Sequence, residues 1–403
     1  MRVIDEPKKR THKVRWTVLA LLLLGYILYA SLRPITVPLT ITTSLTQKST
    51  GSTVSLPWPT AGQAAYGAVG YGVLATHNID APTPMASVAK VVTALSVLSK
   101  KPIALGQTGP TLTFTDDDVA IYNQYVSNNG SSVPVSVGEK MTEYQALQAM
   151  MLPSANNIAD TLAIWAFGSL QAYETYASSY VAKLQMTHTT IADASGFSEN
   201  SASTADDLIL LGQAALANPV LAQIVGQKSA DSPSGAFNNV DTLLGQSGVV
   251  GIKTGNTDLA GGVFLGAANI TVNNQQLTVI TAVMHTDTLS SALSSTLPLV
   301  KAGSDSFSLR SVLAAGDSVG KATAPWGSWS GIIVKNNLGL IAWNQSVLTP
   351  TATTSKVLSS ASAQTVVGKV SLSDHGSSAT SDIVLANKVA GPSFWWRLTH
   401  PIS

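Results

Sequence analysis

Ser87-Val88-Ala89-Lys90 opens an apolar run, VVTALSVL, and on a helix a spacing of three sets the amine one turn from the hydroxyl, on the same face. A nucleophile and its base could meet there. Apolar neighbours disfavour the ammonium form of Lys90, which suits it to take a proton. Taken alone, the pattern also describes a lysine whose stem packs while its ammonium reaches water. A second copy, Ser318-Val319-Gly320-Lys321, sits in a Gly-flanked turn where helical spacing does not apply, and it reads as structural. Ser-x-Asn occurs at Ser127-Asn128-Asn129, Ser154-Ala155-Asn156 and Ser198-Glu199-Asn200. Only Ser154 follows a helix closed by proline, MLPSAN, which holds its hydroxyl and the Asn156 carboxamide on a short rigid connection; the other two read as ordinary polar turns. Lys253-Thr254-Gly255 appears once, after GVVGI, a strand entering a sheet core. Side chains alternate along a strand, so one of Lys253 and Thr254 faces the cleft and the other lies at its edge. Gly255 removes the side chain where a substrate backbone would run alongside.

These groups need helices and strands to hold them. A strand-like stretch covers Ala64 to Leu74, and the Ser87 helix runs to Leu98, short of Pro102. Further helices are expected over Thr142–Leu152, Asn157–Phe167, Leu170–Leu184 and Ala205–Leu216. After about Leu309 helix signals stop, and short Val/Ile/Leu runs alternate with turn residues, marking an all-β domain. The 403 residues are 45% hydrophobic, enough for a large core. Only 11% are charged, 23 basic against 22 acidic, so there is no basic field to hold nucleic acid. Cysteine is absent, which removes thiol catalysis and disulfides together.

The charge that exists is placed unevenly. Residues 1–15 carry six basic and two acidic side chains and read as a cytoplasmic basic segment. Residues 16–32 follow as 17 uncharged residues, a transmembrane helix read as an uncleaved anchor, with the remaining chain outside by the positive-inside bias. Residues 33–60 hold 12 Ser or Thr and four prolines among the 27 from Pro34 onward, a composition that cannot order itself and reads as a stalk. The catalytic domain is assigned to 61–308, the β-rich domain to 309–392, and a Trp-rich tail to 393–403. In that tail Trp395-Trp396-Arg397 reads as a β-domain edge in preference to a membrane-interface segment.

In this order, at intervals of 67 and 99 residues, the three triplets resemble the signature of the penicillin-recognising serine enzymes. The flanking text PMASVAKVVTAL, LPSANNIADTLA, SGFS with STADDL, and GIKTGNTDLAGG is similar to the D-alanyl-D-alanine carboxypeptidase family of low-molecular-mass penicillin-binding proteins, over about residues 61 to 308. The resemblance implies an α+β fold: an antiparallel five-stranded sheet flanked by helices, of the penicillin-binding protein/β-lactamase type, with a C-terminal β-domain. It implies Ser87 as nucleophile, Lys90 as its base and Ser154 as a proton relay to the leaving D-Ala. Asn156 would bond the substrate amide, Lys253 with Thr254 would hold the terminal carboxylate, and the backbone N–H groups of Ser87 and Asn256 would hold the oxyanion. Peptidoglycan stem peptides are the implied substrate, and β-lactams the implied covalent inhibitors. No cofactor or metal is implied: His-Glu-x-x-His is absent, and none of the six His lies beside a Gly-x-Ser-x-Gly elbow. Many relatives grip the carboxylate with an Arg, yet none occurs from Pro34 to Leu309, which leaves His285 and Thr286 as the nearby polar residues. Two other readings share the fold, a non-catalytic wall-binding or β-lactam-sensing module and a β-lactamase-like hydrolase. The second wants a Glu-x-x-Leu-Asn pattern that neither Glu174 nor Glu199 begins.

Overall fold

The computed structural model describes residues 8–233, 235–357 and 360–400; Met1–Pro7 of the basic segment and residues 401–403 of the tail lie outside them. Ten helices occur among the described residues. The first five are α1 (Lys8–Leu32), α2 (Ala89–Lys100), α3 (Asp116–Ser127), α4 (Glu143–Met151) and α5 (Asn156–Phe167). The others are α6 (Leu170–Lys183), α7 (Ala205–Ala217), α8 (Pro219–Val225), α9 (Leu289–Ser304) and α10 (Phe394–Thr399). Five antiparallel strands form the central sheet in the order Val249–Thr257, Gly261–Val272, Gln275–Thr286, Gln63–Ala68, Gly72–His77. The single stretch expected over Ala64–Leu74 is thus a hairpin, turned at Gly70 and Gly72, both at positive φ.

One sheet face packs on α2, α5, α7 and their neighbours, and the other on α9, Phe307 and Trp343. α2 is buried all round from Ala89 to Leu98, as a helix with apolar residues on every side must be. That placement makes Lys90 a core residue. Residues from Phe307 onward, joined by Thr40–Thr43, form a two-stranded ribbon and a six-stranded sheet around a third core. The chain therefore adopts an α+β architecture with a sheet-rich C-terminal region.

Two readings at the ends of the chain need correction. Residues 33–60 do not order by themselves, but they are ordered: Thr40–Thr43 pairs with Ser318–Thr323 as the edge of the six-stranded sheet. Arg310 donates to the carbonyls of Ser49 and Thr50 at 2.7 and 2.9 Å, and Leu39 and Leu56 are buried. The sheet supplies the partners that the segment's own composition lacks. The tail is also not a sheet edge. Residues Phe394–Thr399 are helical, and α10 rests on the C-terminal end of α1, where Arg397 Nη1 donates to the carbonyls of Ser31 and Arg33 at 3.2 and 3.0 Å. Tyr26 donates to the Leu398 carbonyl and Arg33 to that of His400. Trp396 packs edge-on to Trp326 of the C-terminal region at 5.4 Å, while Trp395 is exposed. A cation over the last carbonyls of a helix satisfies orphan acceptors and complements the dipole, which explains the docking. In α1, the stretch His12–Leu32 is apolar and almost wholly unburied, so this helix is long and apolar enough to cross a membrane.

Candidate active site

Ser87 lies in a 3₁₀ turn, Ala86–Val88, that feeds directly into α2. Ala86 has φ +47°, a left-handed conformation that a residue with a Cβ adopts only under constraint. The constraint comes from two glycines. A Cβ at Gly196 would sit 1.8 Å from the Ala86 carbonyl oxygen, and one at Gly255 would sit 3.0 Å from Ala86 Cβ and 3.2 Å from Ser87 N. The loop after Asp193 and the strand Val249–Thr257 therefore clamp the turn from two sides at backbone contact.

Lys90 is completely buried, and its Nζ has three neighbours: Ser87 Oγ at 2.8 Å, Asn156 Oδ1 at 2.6 Å and the Ser195 carbonyl at 2.8 Å. Burial lowers its pKa well below the usual lysine range, the charge of Lys253 lowers it further, and Asp193 and Asp160 oppose the shift. Asn156 begins α5 and is tied by its own N–H to the Ser131 carbonyl at 2.8 Å, which draws the Asn128–Ser131 loop over the site. Ser87, Asn156 and Asn256 line one cavity of about 430 Å³ together with Asn129, Phe197 and Glu199.

The remaining expected residues sit beside that group. Ser154 is buried on the connection between α4 and α5, with φ +66°, and forms no hydrogen bond to Ser87 or Lys90. Lys253 and Thr254 are buried on the strand Val249–Thr257, whose Asn256 lines the cavity. Lys253 Nζ donates to the Thr254 carbonyl at 3.0 Å, and burial pushes its pKa down to about 7 against the pull of Asp241. Thr286 donates its hydroxyl to the carbonyls of Gly262 and Thr288, and His285 Nδ1 lies 3.3 Å from the Ala260 carbonyl, so both engage backbone at the end of the sheet. Ser318 and Lys321 belong to the C-terminal sheet, with the Lys321 ammonium 4.5 Å from the Trp329 ring centroid.

Sequence reasoning passed over several residues of this site. The two Ser-x-Asn segments read as ordinary turns contribute Asn128, Asn129 and Glu199 to the cavity wall. Ser195 acts through a carbonyl, which no side-chain type advertises, and only the SGFS text pointed near it. Asp160 follows Asn156 by four residues on α5, a spacing that puts it on the same helix face. Tyr125, on α3, donates to Asp160 Oδ2 at 2.8 Å.

Residues 68–288 match the family model described as D-alanyl-D-alanine carboxypeptidase. The chain is 34% identical over 203 residues to D-alanyl-D-alanine carboxypeptidase DacB2 of Mycobacterium tuberculosis, a match covering 49% of this chain and 66% of that relative, just under two thirds. Its fold is similar to a peptidoglycan synthesis regulatory factor (PBP3) of Streptococcus pneumoniae, with TM-score 0.62 and 20% identity, covering 82% of this chain and 100% of that one. It is likewise similar to penicillin binding protein 5 of Haemophilus influenzae, with TM-score 0.60 and 18% identity, covering 84% and 100%.

Proposed function

Because this chain belongs to the D-alanyl-D-alanine carboxypeptidase family, we propose that it removes the terminal D-Ala of peptidoglycan stem peptides through an acyl-enzyme on Ser87, and that penicillins acylate the same hydroxyl. The observation that carries this reading is the surroundings of Lys90 Nζ. Two of its three neighbours, the Asn156 Oδ1 and the Ser195 carbonyl, can only accept. A neutral amine has two N–H donors and one lone pair, so both donors are taken and the lone pair faces the Ser87 hydroxyl. Burial lowers the pKa of the amine and so favours that neutral form.

Ser87 Oγ attacks the carbonyl of the penultimate D-Ala while its proton passes to Lys90. The N–H groups of Ser87 and Asn256 hold the oxyanion. Asn156 offers its carboxamide N–H to the substrate amide, Lys253 and Thr254 receive the terminal carboxylate, and Ser154 relays the proton to the leaving amine. Water then hydrolyses the ester. In the same reading α1 spans the cell membrane once, with residues 1–15 in the cytoplasm and the catalytic unit outside.

Labelling with a fluorescent penicillin tests the proposal. Ser87→Ala should abolish both the label and D-Ala release, and Ser318→Ala should keep both. A wall-binding module would bind wall equally well as Ser87→Ala, and a β-lactamase-like hydrolase would shed the label within a few turnovers.

A further inference from the structure

Two carboxylates stand behind Lys90, in unequal company. Asp193 accepts from Ser195 N, Ser195 Oγ, Phe197 N and Ser201 Oγ at 3.2, 2.7, 2.8 and 2.5 Å, a filled set. Among the described residues Asp160 accepts only from Tyr125 Oη, and its Oδ1 is buried without a partner. An ionised carboxylate so placed is under-solvated, and burial pushes the Asp160 pKa up to about 7. Two short routes connect it to the amine. Along α5, one turn back, Asn156 Oδ1 accepts from Lys90 Nζ. Through Tyr125, whose Oη lies 3.2 Å from Ser195 Oγ, it reaches the residue whose carbonyl accepts from the same Nζ.

We propose that Asp160, held by Tyr125, is a positioning residue for Lys90 and the counter-charge that sets the pH at which Lys90 becomes a free base. This rests on the reading of Lys90 as the base for Ser87. The ionisable groups that act on Asp160 are Tyr125 on α3, Lys90 on α2, Glu174 on α6 and Asp193 in the loop beyond it. Glu174 and Asp193 favour the protonated acid, while Lys90 and the Tyr125 hydrogen bond favour the carboxylate. Asp193 has its acceptor sites committed, and Asp160 is the carboxylate left with an unpartnered buried oxygen. When Lys90 takes the proton of Ser87, an ammonium appears in a dry site with no carboxylate in direct contact. An ionised Asp160 stabilises that state, and a protonated one releases the lone pair.

The test is the pH profile of penicillin acylation in the full chain in detergent micelles. Asp160→Asn keeps an acceptor for Tyr125 and removes the charge. It should move the acid limb to lower pH by about 0.5–1 unit and reduce the plateau rate several-fold. Tyr125→Phe is the second variant should the first fold poorly. Without that hydrogen bond Asp160 holds its proton to higher pH, so the limb should move the same way, and the double variant should move it no further than Asp160→Asn alone. An acid limb unmoved in both folded single variants, with only the thermal midpoint lowered, would overturn the inference. Lys90→Met separates the two readings: near-normal acylation there means Lys90 is not the base, a failure different from an unmoved limb.

Discussion

Replacing Lys90 by Arg should damage acylation nearly as much as replacing it by Ala, on the order of a thousand-fold, because a guanidinium stays protonated at any workable pH and offers Ser87 no lone pair. Stopped-flow acylation checks this, and an Arg variant retaining most of the rate would reduce Lys90 to a positioning charge. Lys253 gives the opposite dependence on pH. Its ammonium is buried and titrates near 7, so it is cationic below that pH and loses charge as pH rises through it. KM for a D-Ala-D-Ala peptide should therefore climb above about pH 7, while KM for the C-terminal amide stays nearly flat. With no Arg fork available, and with Thr286 and His285 engaged with backbone, rejection of the amide should rest on the proposed pair Lys253 and Thr254, and Thr254→Val should weaken it further. If Thr254→Val leaves a rejection of several kcal/mol intact, some other group holds the carboxylate.

The turn that carries Ser87 depends on two glycines that touch it from different elements. Gly196→Ala meets the Ala86 carbonyl at 1.8 Å from a backbone at φ +72°, and it should cost at least about 2 kcal/mol of stability along with the acylation activity. Gly255→Ala meets its neighbours at 3.0 to 3.2 Å, so the turn can yield; stability should fall by about 1 kcal/mol or less while acylation drops about ten-fold. Thermal melts and acylation rates on the two variants check the contrast. Neither clamp could be read from the sequence, since each is a meeting of distant backbones. Periodic apolar helices could: α4, α5, α6 and α7 lie within a residue or so of where their patterns put them. α3 escaped because DDDVAIYNQYVS buries no residue fully and packs only Val119 and Tyr122 in part against the core, though its Thr115–Asp118 capping box was there to be seen. α9 escaped because Pro298 and a run of serines disguise it. In the site, Ser87 and Lys90 were legible because three residues is one helical turn. Ser195 and Asp160 were not, because a carbonyl and a lone carboxylate acquire meaning only from what packs against them.

Between its first helix and its last the chain closes on itself, since α10 caps the end of α1 and the segment after α1 is sewn along the C-terminal sheet. If α1 is the uncleaved anchor proposed above, N-terminal sequencing of the mature protein should return the original start, and a new terminus between Ala30 and Thr50 would make α1 a signal peptide. A free linker spanning residues 34–60 would behave as a random coil with an end-to-end distance of roughly 30 Å, fluctuating widely about that mean. Strand pairing at Thr40–Thr43 and the Arg310 contacts to Ser49 and Thr50 remove that freedom. On the proposed reading the Ser87 hydroxyl would be held at a set altitude above the bilayer, and the enzyme would patrol a thin stratum of wall, leaving peptides nearer or farther out to others.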